Sequence, residues 1–156
     1  MEALGQLRVA WAAGKARVVA EERFSVGDLV LELEGEVAGA PSRYSVQVGL
    51  SLHLVPPRGS DRNPGESHDD RYIWRFLNHS CRPNAWVRGR QLLALRPIAP
   101  GEEITFDYNC TEFDMAAPFP CRCGHCGGAM IRGYRHLSPE ERRRRLPQLA
   151  EHLRSE

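Results

Sequence analysis

Arg75-Phe76-Leu77-Asn78-His79-Ser80-Cys81 is the stretch on which the fold turns. A short apolar run delivers an amide, an imidazole, a hydroxyl and a thiol in succession. Burying such groups is costly unless each finds a partner, so the segment reads as a polar, ligand-facing turn and not as plain core. Two later segments share its character. Gly101-Glu102-Glu103-Ile104-Thr105-Phe106-Asp107-Tyr108 reads as an aromatic-rich buried strand, and Cys121-Arg122-Cys123-Gly124-His125-Cys126 gathers three thiols in six residues.

The chain has 156 residues, enough for one domain with a real core. Apolar residues make up 42% and charged residues 26%, as in an ordinary globular protein. The net charge of +1 offers no electrostatic argument for nucleic acid or an anionic membrane. Lys15 is the lone lysine beside twenty arginines, which reads first as a codon bias. Met1 to Val9 lacks the basic start and apolar run of a signal peptide, and no stretch is long enough to span a bilayer. The expected location is cytoplasmic, or nuclear in a eukaryote.

Short apolar stretches punctuated by glycine predict strands at 16–20, 29–33, 44–48 and 50–55, with a turn at Ser25–Asp28. Residues 56–71 read as a loop rich in Pro, Gly, Asp and Ser. Ala85–Val87 and Gln91–Ala94 read as a hairpin, and 103–106 as a strand after the Pro100-Gly101 turn. Ser138-Pro139-Glu140-Glu141 is a capping box that starts a helix, which Pro147 breaks or restarts. Arg142–Arg145 reads as a solvated helix face, since Glu140, Glu141 and Glu151 lie nearby. The sum is a mainly β domain with a Cys-bearing tail and a terminal helix.

Five cysteines is an odd count, and crowded thiols suggest metal ligands in a reducing compartment. Cys121, Cys123 and Cys126 supply three ligands of a tetrahedral zinc site. The fourth is Cys81, Cys110 or His125. His125 sits between two ligands and points away, so Cys81 is favoured, tying the tail to the Asn78–Cys81 turn.

These residues resemble those of a SET domain protein-lysine methyltransferase with a post-SET zinc tail, in a minimal form of the kind seen in bacteria. Residues 75–85, from Arg75 through Cys81 to Arg82-Pro83-Asn84-Ala85, match one motif of that family, and Gly101–Tyr108 matches the second. Ala20 to Gly35 is similar to its N-terminal part, and the resemblance covers about residues 14 to 128. It implies small curved sheets with a pseudoknot, a SET domain over 7–109, a post-SET segment over 110–128 and a helical extension over 129–156. It implies S-adenosylmethionine as cofactor, Zn2+ in the tail, and a protein substrate with an accessible lysine, without direct nucleic acid or membrane contact. The catalytic residues would be Tyr108 and Phe106, the latter leaving room for di- or trimethylation. The cofactor would be held by Asn78, His79 (largely through its backbone), Tyr108, Arg75 and the Gly14-Lys15-Ala16-Arg17 loop. The metal would be held by Cys81, Cys121, Cys123 and Cys126.

Three departures from the family pattern stand out. Lys15 and Arg17 occupy the positions of a Gly-x-Gly loop, with Gly14 one residue early. Leu33 stands where a channel tyrosine is expected, leaving Tyr44 or Tyr72 as substitutes. The tail is C-x-C-x2-C, two residues shorter than usual. The alternative from another class is a catalytically inactive SET fold that serves as a zinc-stabilised protein-binding module. A zinc-tail nucleic-acid binder is disfavoured by the near-neutral charge, and a zinc hydrolase by four thiolates closing the metal to water.

Overall fold

Strands in this protein are short because glycine, proline and polar turns interrupt every apolar run. A computed structural model of the chain describes residues 6–57 and 70–154. Twelve strands are found among these residues: β1 (Leu7–Ala12), β2 (Lys15–Ala20), β3 (Leu29–Glu32), β4 (Glu36–Ala38), β5 (Val46–Gly49), β6 (Leu52–Val55), β7 (Asn78–His79), β8 (Ala85–Arg88), β9 (Gln91–Ala94), β10 (Thr105–Phe106), β11 (Phe119–Pro120) and β12 (Met130–Ile131). They form five small sheets, ordered β1-β2, β3-β9-β8, β4-β6-β5, β7-β10 and β11-β12. The pairings are antiparallel except β7 with β10, which run parallel with Asn78 opposite Thr105 and His79 opposite Phe106. That parallel pair sets the two motifs of the sequence side by side.

The main core lies between the sheets, where Val18, Phe24, Val30, Leu54, Trp74, Leu92, Ile98 and Ile104 are fully or almost fully buried. Trp74 buries its ring and satisfies its indole N–H on the Glu34 carbonyl at 2.8 Å. The β1–β2 hairpin closes through Ala13 and Gly14, both at positive φ (53° and 76°), a turn geometry that matches the strand twist. Gly14 thus serves the hairpin tip.

Several sequence expectations shift. The strand expected at 44–48 starts at Val46, because Ser45 N–H and hydroxyl bond back to Ser42 and make a turn there. Tyr44 lies on that turn, exposed, with Arg43 over its ring. The expected strand at 103–106 narrows to Thr105–Phe106, with Glu103 bridging Val19 instead. Of the expected loop 56–71, residues 58–69 lie outside the described residues, while 70 and 71 begin a 3-10 turn, Asp70–Phe76. The capping box is formed: the Ser138 hydroxyl accepts Glu141 N–H at 3.1 Å, and the Glu141 carboxylate accepts Ser138 N–H at 3.0 Å. The helix it starts, α1 (Pro139–Arg144), has six residues, and Pro147 restarts the chain as a 3-10 turn over Leu146–Gln148.

A second, smaller core joins Cys110, Tyr134, Leu149 and Leu153, with Phe113 and Leu137 against it. Gly133 leads Tyr134 into this core at φ 112°, where an added Cβ would stand 2.8 Å from the Phe113 carbonyl oxygen. Glu112 and Gln47 stitch this core to β5. The Gln47 N–H and the Thr111 hydroxyl donate to Glu112 Oε2 at 2.8 and 2.9 Å, and Phe113 N–H donates to Gln47 Oε1 at 2.8 Å.

Burial pushes the Glu112 carboxyl up to about 7, against the opposing bonds from Gln47 and Thr111. Its folded-state value therefore exceeds its unfolded value, about 4.3. Folding takes up a proton between the two, so this group's contribution to stability falls as pH rises from about 4.3 to about 7. The Glu112→Gln variant keeps an oxygen acceptor but cannot ionise. Denaturant unfolding across that window should show wild type losing up to roughly 3 kcal/mol relative to the variant. Parallel pH profiles would contradict this reading of Glu112.

Candidate functional site

The four thiols chosen from the sequence meet in space. The Sγ atoms of Cys81, Cys121, Cys123 and Cys126 all lie within 4.8 Å of one another. Cys81 and Cys121 are 3.8 Å apart, and Cys123 and Cys126 3.9 Å. Thiolates on a tetrahedral zinc, each at about 2.3 Å, would be about 3.8 Å apart, so the donor set and spacing fit that ion. Cys121 N–H bonds to the Ala129 carbonyl and opens the loop, while positive φ at Gly124, Gly127 and Gly128 curls it. The other two candidates fall away on geometry. Cys110 is buried in the second core, and the His125 ring is outside the cluster, only its N–H reaching Cys123 Sγ. Burial first, then contact with the Cys126 and Cys121 thiols, pushes the Cys81 thiol well above its ordinary range. Four thiolates this close ionise together only around a cation.

His79 connects this cluster to Tyr108. The Tyr108 N–H donates to His79 Nδ1 at 3.0 Å. A neutral imidazole that accepts at Nδ1 carries its proton on Nε2, and His79 Nε2 is 3.4 Å from Cys81 Sγ. Burial holds the His79 pKa down; Asp107 opposes this and Arg145 reinforces it, so the ring is neutral at neutral pH. Asp107 Oδ1 lies 3.6 Å from the same Nδ1, too far for a hydrogen bond.

Tyr108 opens a 3-10 turn, Tyr108–Cys110, capped by Asp107, whose Oδ1 accepts the Asn109 N–H at 2.9 Å. The asparagine amide and the turn together aim the chain: Asn109 Oδ1 accepts Gly133 N–H from the tail at 3.0 Å. The Tyr108 hydroxyl donates to the Leu77 carbonyl, which leaves the phenol oxygen's lone pairs as acceptors. Burial first, then the carboxylates of Glu112 and Glu103, raise the phenol's pKa well above its usual range. The group stays a neutral phenol. Around its ring stand His79, Phe106 and Phe119, with ring centres 5.3, 5.0 and 5.8 Å away.

Phe119 is the member of this cluster that sequence reasoning missed. Its signal was faint: an aromatic two residues before the first tail cysteine. Asn78 is on the other side of the parallel pair. Its Nδ2 donates to the Ala16 carbonyl at 3.0 Å and to Glu103 Oε2 at 2.9 Å. The Ala16 backbone, Asn78 and the second motif therefore share one corner. Gly14 lies at the hairpin tip, and Lys15 and Arg17 flank Ala16 at the start of β2. Arg75 is engaged by its own turn, donating to the Tyr72 carbonyl at 2.8 Å and stacking 4.2 Å from the centre of the Phe76 ring. Leu33 is buried in the main core, its N–H on the Arg90 carbonyl at 2.7 Å.

Comparison with known proteins follows the same lines. The family model described as SET domain matches residues 16–109. A histone-lysine N-methyltransferase of Candida albicans, H3 lysine-36 specific, is 50% identical over 119 residues, covering 69% of this chain and 14% of that protein. One of Aspergillus fumigatus, H3 lysine-4 specific, is 33% identical over 123 residues, covering 69% of this chain and 10% of that protein. The chain thus spans a small fraction of the length of these relatives. The crystal structure of KRYPTONITE in complex with mCHG DNA and SAH shares the fold, with a TM-score of 0.57 and 24% identity over 81% of this chain and 28% of that one.

Protein purified with zinc should hold one ion per chain by elemental analysis, and Cys81→Ser should lose most of it. Cys110→Ala should retain the full complement. Loss of zinc in the Cys110 variant with retention in the Cys81 variant would reverse the assignment.

Proposed function

Because the chain belongs to the SET domain family, we propose that it is a protein-lysine N-methyltransferase using S-adenosylmethionine. The observation that carries this reading is the environment of the Tyr108 hydroxyl. It is a neutral phenol, held by the Leu77 carbonyl, walled by aromatic rings and close to the corner where Asn78 meets the Ala16 carbonyl. When bound, S-adenosylmethionine supplies a methyl group on a positively charged sulfur.

The residues present suit that cofactor. The Ala16 carbonyl and the Asn78 amide offer an acceptor and a polar side chain in one place, joined to the strand that leads to Tyr108. His79 contributes through its backbone and by holding the Tyr108 amide. A lysine amine must shed its proton before it can attack, and its ordinary pKa is about 10.4. Burial beside a positive charge lowers that value, so a strong local base is not needed. The Tyr108 oxygen accepts an N–H of the amine and points its lone pair along the line of attack. Phe106 and Phe119 exclude water and add no charge. Alignment of this kind can supply about 7–11 kcal/mol of the barrier reduction. The Phe106 ring carries no hydroxyl to hold a water or restrain a methylated amine, which fits addition of more than one methyl.

Cys81, Cys121, Cys123 and Cys126 would hold a structural zinc, closed to water by its four thiolates. The substrate is a protein with an accessible lysine. The histone-lysine methyltransferase relatives favour a nuclear location if the source is eukaryotic. The second reading, a catalytically inactive binding module, draws on Leu33, a buried aliphatic where the family places a channel tyrosine.

Incubation of a dephosphorylated lysate or histone peptides with the chain and methyl-labelled S-adenosylmethionine separates the two readings. Label should appear on lysine, with more than one methyl per residue by mass. Tyr108→Phe should lower turnover by about 10²-fold or more while cofactor affinity by calorimetry stays within a few-fold. Absence of cofactor binding at millimolar concentration would leave only the binding module.

A further inference from the structure

The run Arg142-Arg143-Arg144-Arg145 is not a uniform solvated face. Arg143 and Arg144 are exposed, whereas Arg142 in the last turn of the helix and Arg145, its C-cap, turn inward. Arg142 lies 4.4 Å from the Tyr134 ring centre and donates to the Arg135 carbonyl at 3.1 Å. Arg145 reaches further. Its Nε donates to Asp107 Oδ2 at 2.8 Å and its Nη1 to the Glu141 carbonyl at 3.0 Å. The two side chains of this ion pair are 13% and 1% exposed.

Asp107 is the cap of the Tyr108 turn. One of its oxygens is committed to the Asn109 N–H and the other to Arg145. The residue thus joins the C-terminal extension to the peptide that leads into Tyr108. A buried ion pair is weak evidence for stability, because desolvation offsets much of its attraction. The extension has other anchors in any case: Ala150 N–H on the Cys110 carbonyl at 2.9 Å, His152 Nε2 at 2.8 Å from the Thr111 carbonyl, and Leu149 and Leu153 in the second core. What the pair adds is direction. A guanidinium held at two points fixes the position of the carboxylate it meets, and that carboxylate sets the start of the turn.

We propose that Arg145 is a positioning residue for methyl transfer, acting through Asp107 to set the turn that aims the Tyr108 phenol. The C-terminal extension thereby bears on the turn that carries Tyr108. This rests on the reading of the chain as a lysine methyltransferase, where a misplacement of about 1 Å can cost about 10²-fold in rate.

The test compares Arg145→Gln, Arg145→Lys, Asp107→Asn and the Asp107→Asn/Arg145→Gln double variant, with Arg143→Gln as the surface control. Each is made as the full zinc-loaded chain carrying 3-fluorotyrosine. Arg145→Gln should lower kcat by about 10-fold or more with KM for S-adenosylmethionine changed less than about 3-fold. Arg145→Lys should restore part of the loss, since an ammonium keeps the charge but not the fork. In the Asp107→Asn background, Arg145→Gln should have little further effect. The fluorine resonance of Tyr108, identified by its absence in Tyr108→Phe, should move in Arg145→Gln and stay in place in Arg143→Gln.

Wild-type kcat and an unmoved resonance in Arg145→Gln would overturn the proposal, as would an undiminished Arg145→Gln effect in the Asp107→Asn background. If Arg145→Gln does not fold, Arg145→Lys decides: wild-type kcat and resonance there also overturn it. If the wild-type chain transfers no methyl, the functional reading fails separately, and the fluorine resonance still decides whether Arg145 positions Tyr108.

Discussion

Four thiols converging from two distant parts of the chain are the constraint on which the rest of this site depends. Cys81 ends the Asn78–Cys81 turn, and Cys121, Cys123 and Cys126 belong to a loop about forty residues later. A metal bridging them would tie the two segments together. The consequence reaches beyond the tail. Phe119, two residues before the first tail thiol, is carried onto the Tyr108 ring, and His79, two residues before Cys81, sits between the thiols and the Tyr108 amide. The imidazole is a neutral strut with each nitrogen engaged, one as acceptor and one as donor.

Tyr108 is therefore held from three directions. Its amide is held by His79, its hydroxyl by the Leu77 carbonyl, and its turn by Asp107 and the extension. Such restraint suits a reaction whose demand is alignment more than acid or base strength. The electrostatics agree. Burial and two carboxylates keep the phenol protonated, and the walls around it are aromatic. A charged base in the same place would compete for the proton and draw in water.

Much of this was legible in the sequence where the signal is local. Spacing within Cys121–Cys126 announces a thiol cluster, the Ser138–Glu141 box announces a helix start, and Arg88-Gly89-Arg90 marks a hairpin. Cys81, chosen from the sequence to join the tail thiols, lies with the other three. Features that need distant partners were harder to read. Nothing around Arg145 tells that Asp107 lies opposite, so its run looked solvated. Gln47 reads as the polar side of a strand, yet it is buried because Phe113 N–H and its own carbonyl neighbours satisfy its amide. Tyr44, which the sequence offered together with Tyr72 as a substitute for the missing channel tyrosine, lies exposed on a serine turn.

Removal and return of the metal tests whether the thiol cluster holds Tyr108 in its working position. Zinc is withdrawn from the purified chain with a chelator under reducing conditions, and methyl transfer to lysine is followed before, after and on restoring one equivalent. Transfer should fall with the zinc content and return with it, because the thiol cluster seats both His79 and Phe119 against Tyr108. Full turnover in the metal-free chain would contradict this.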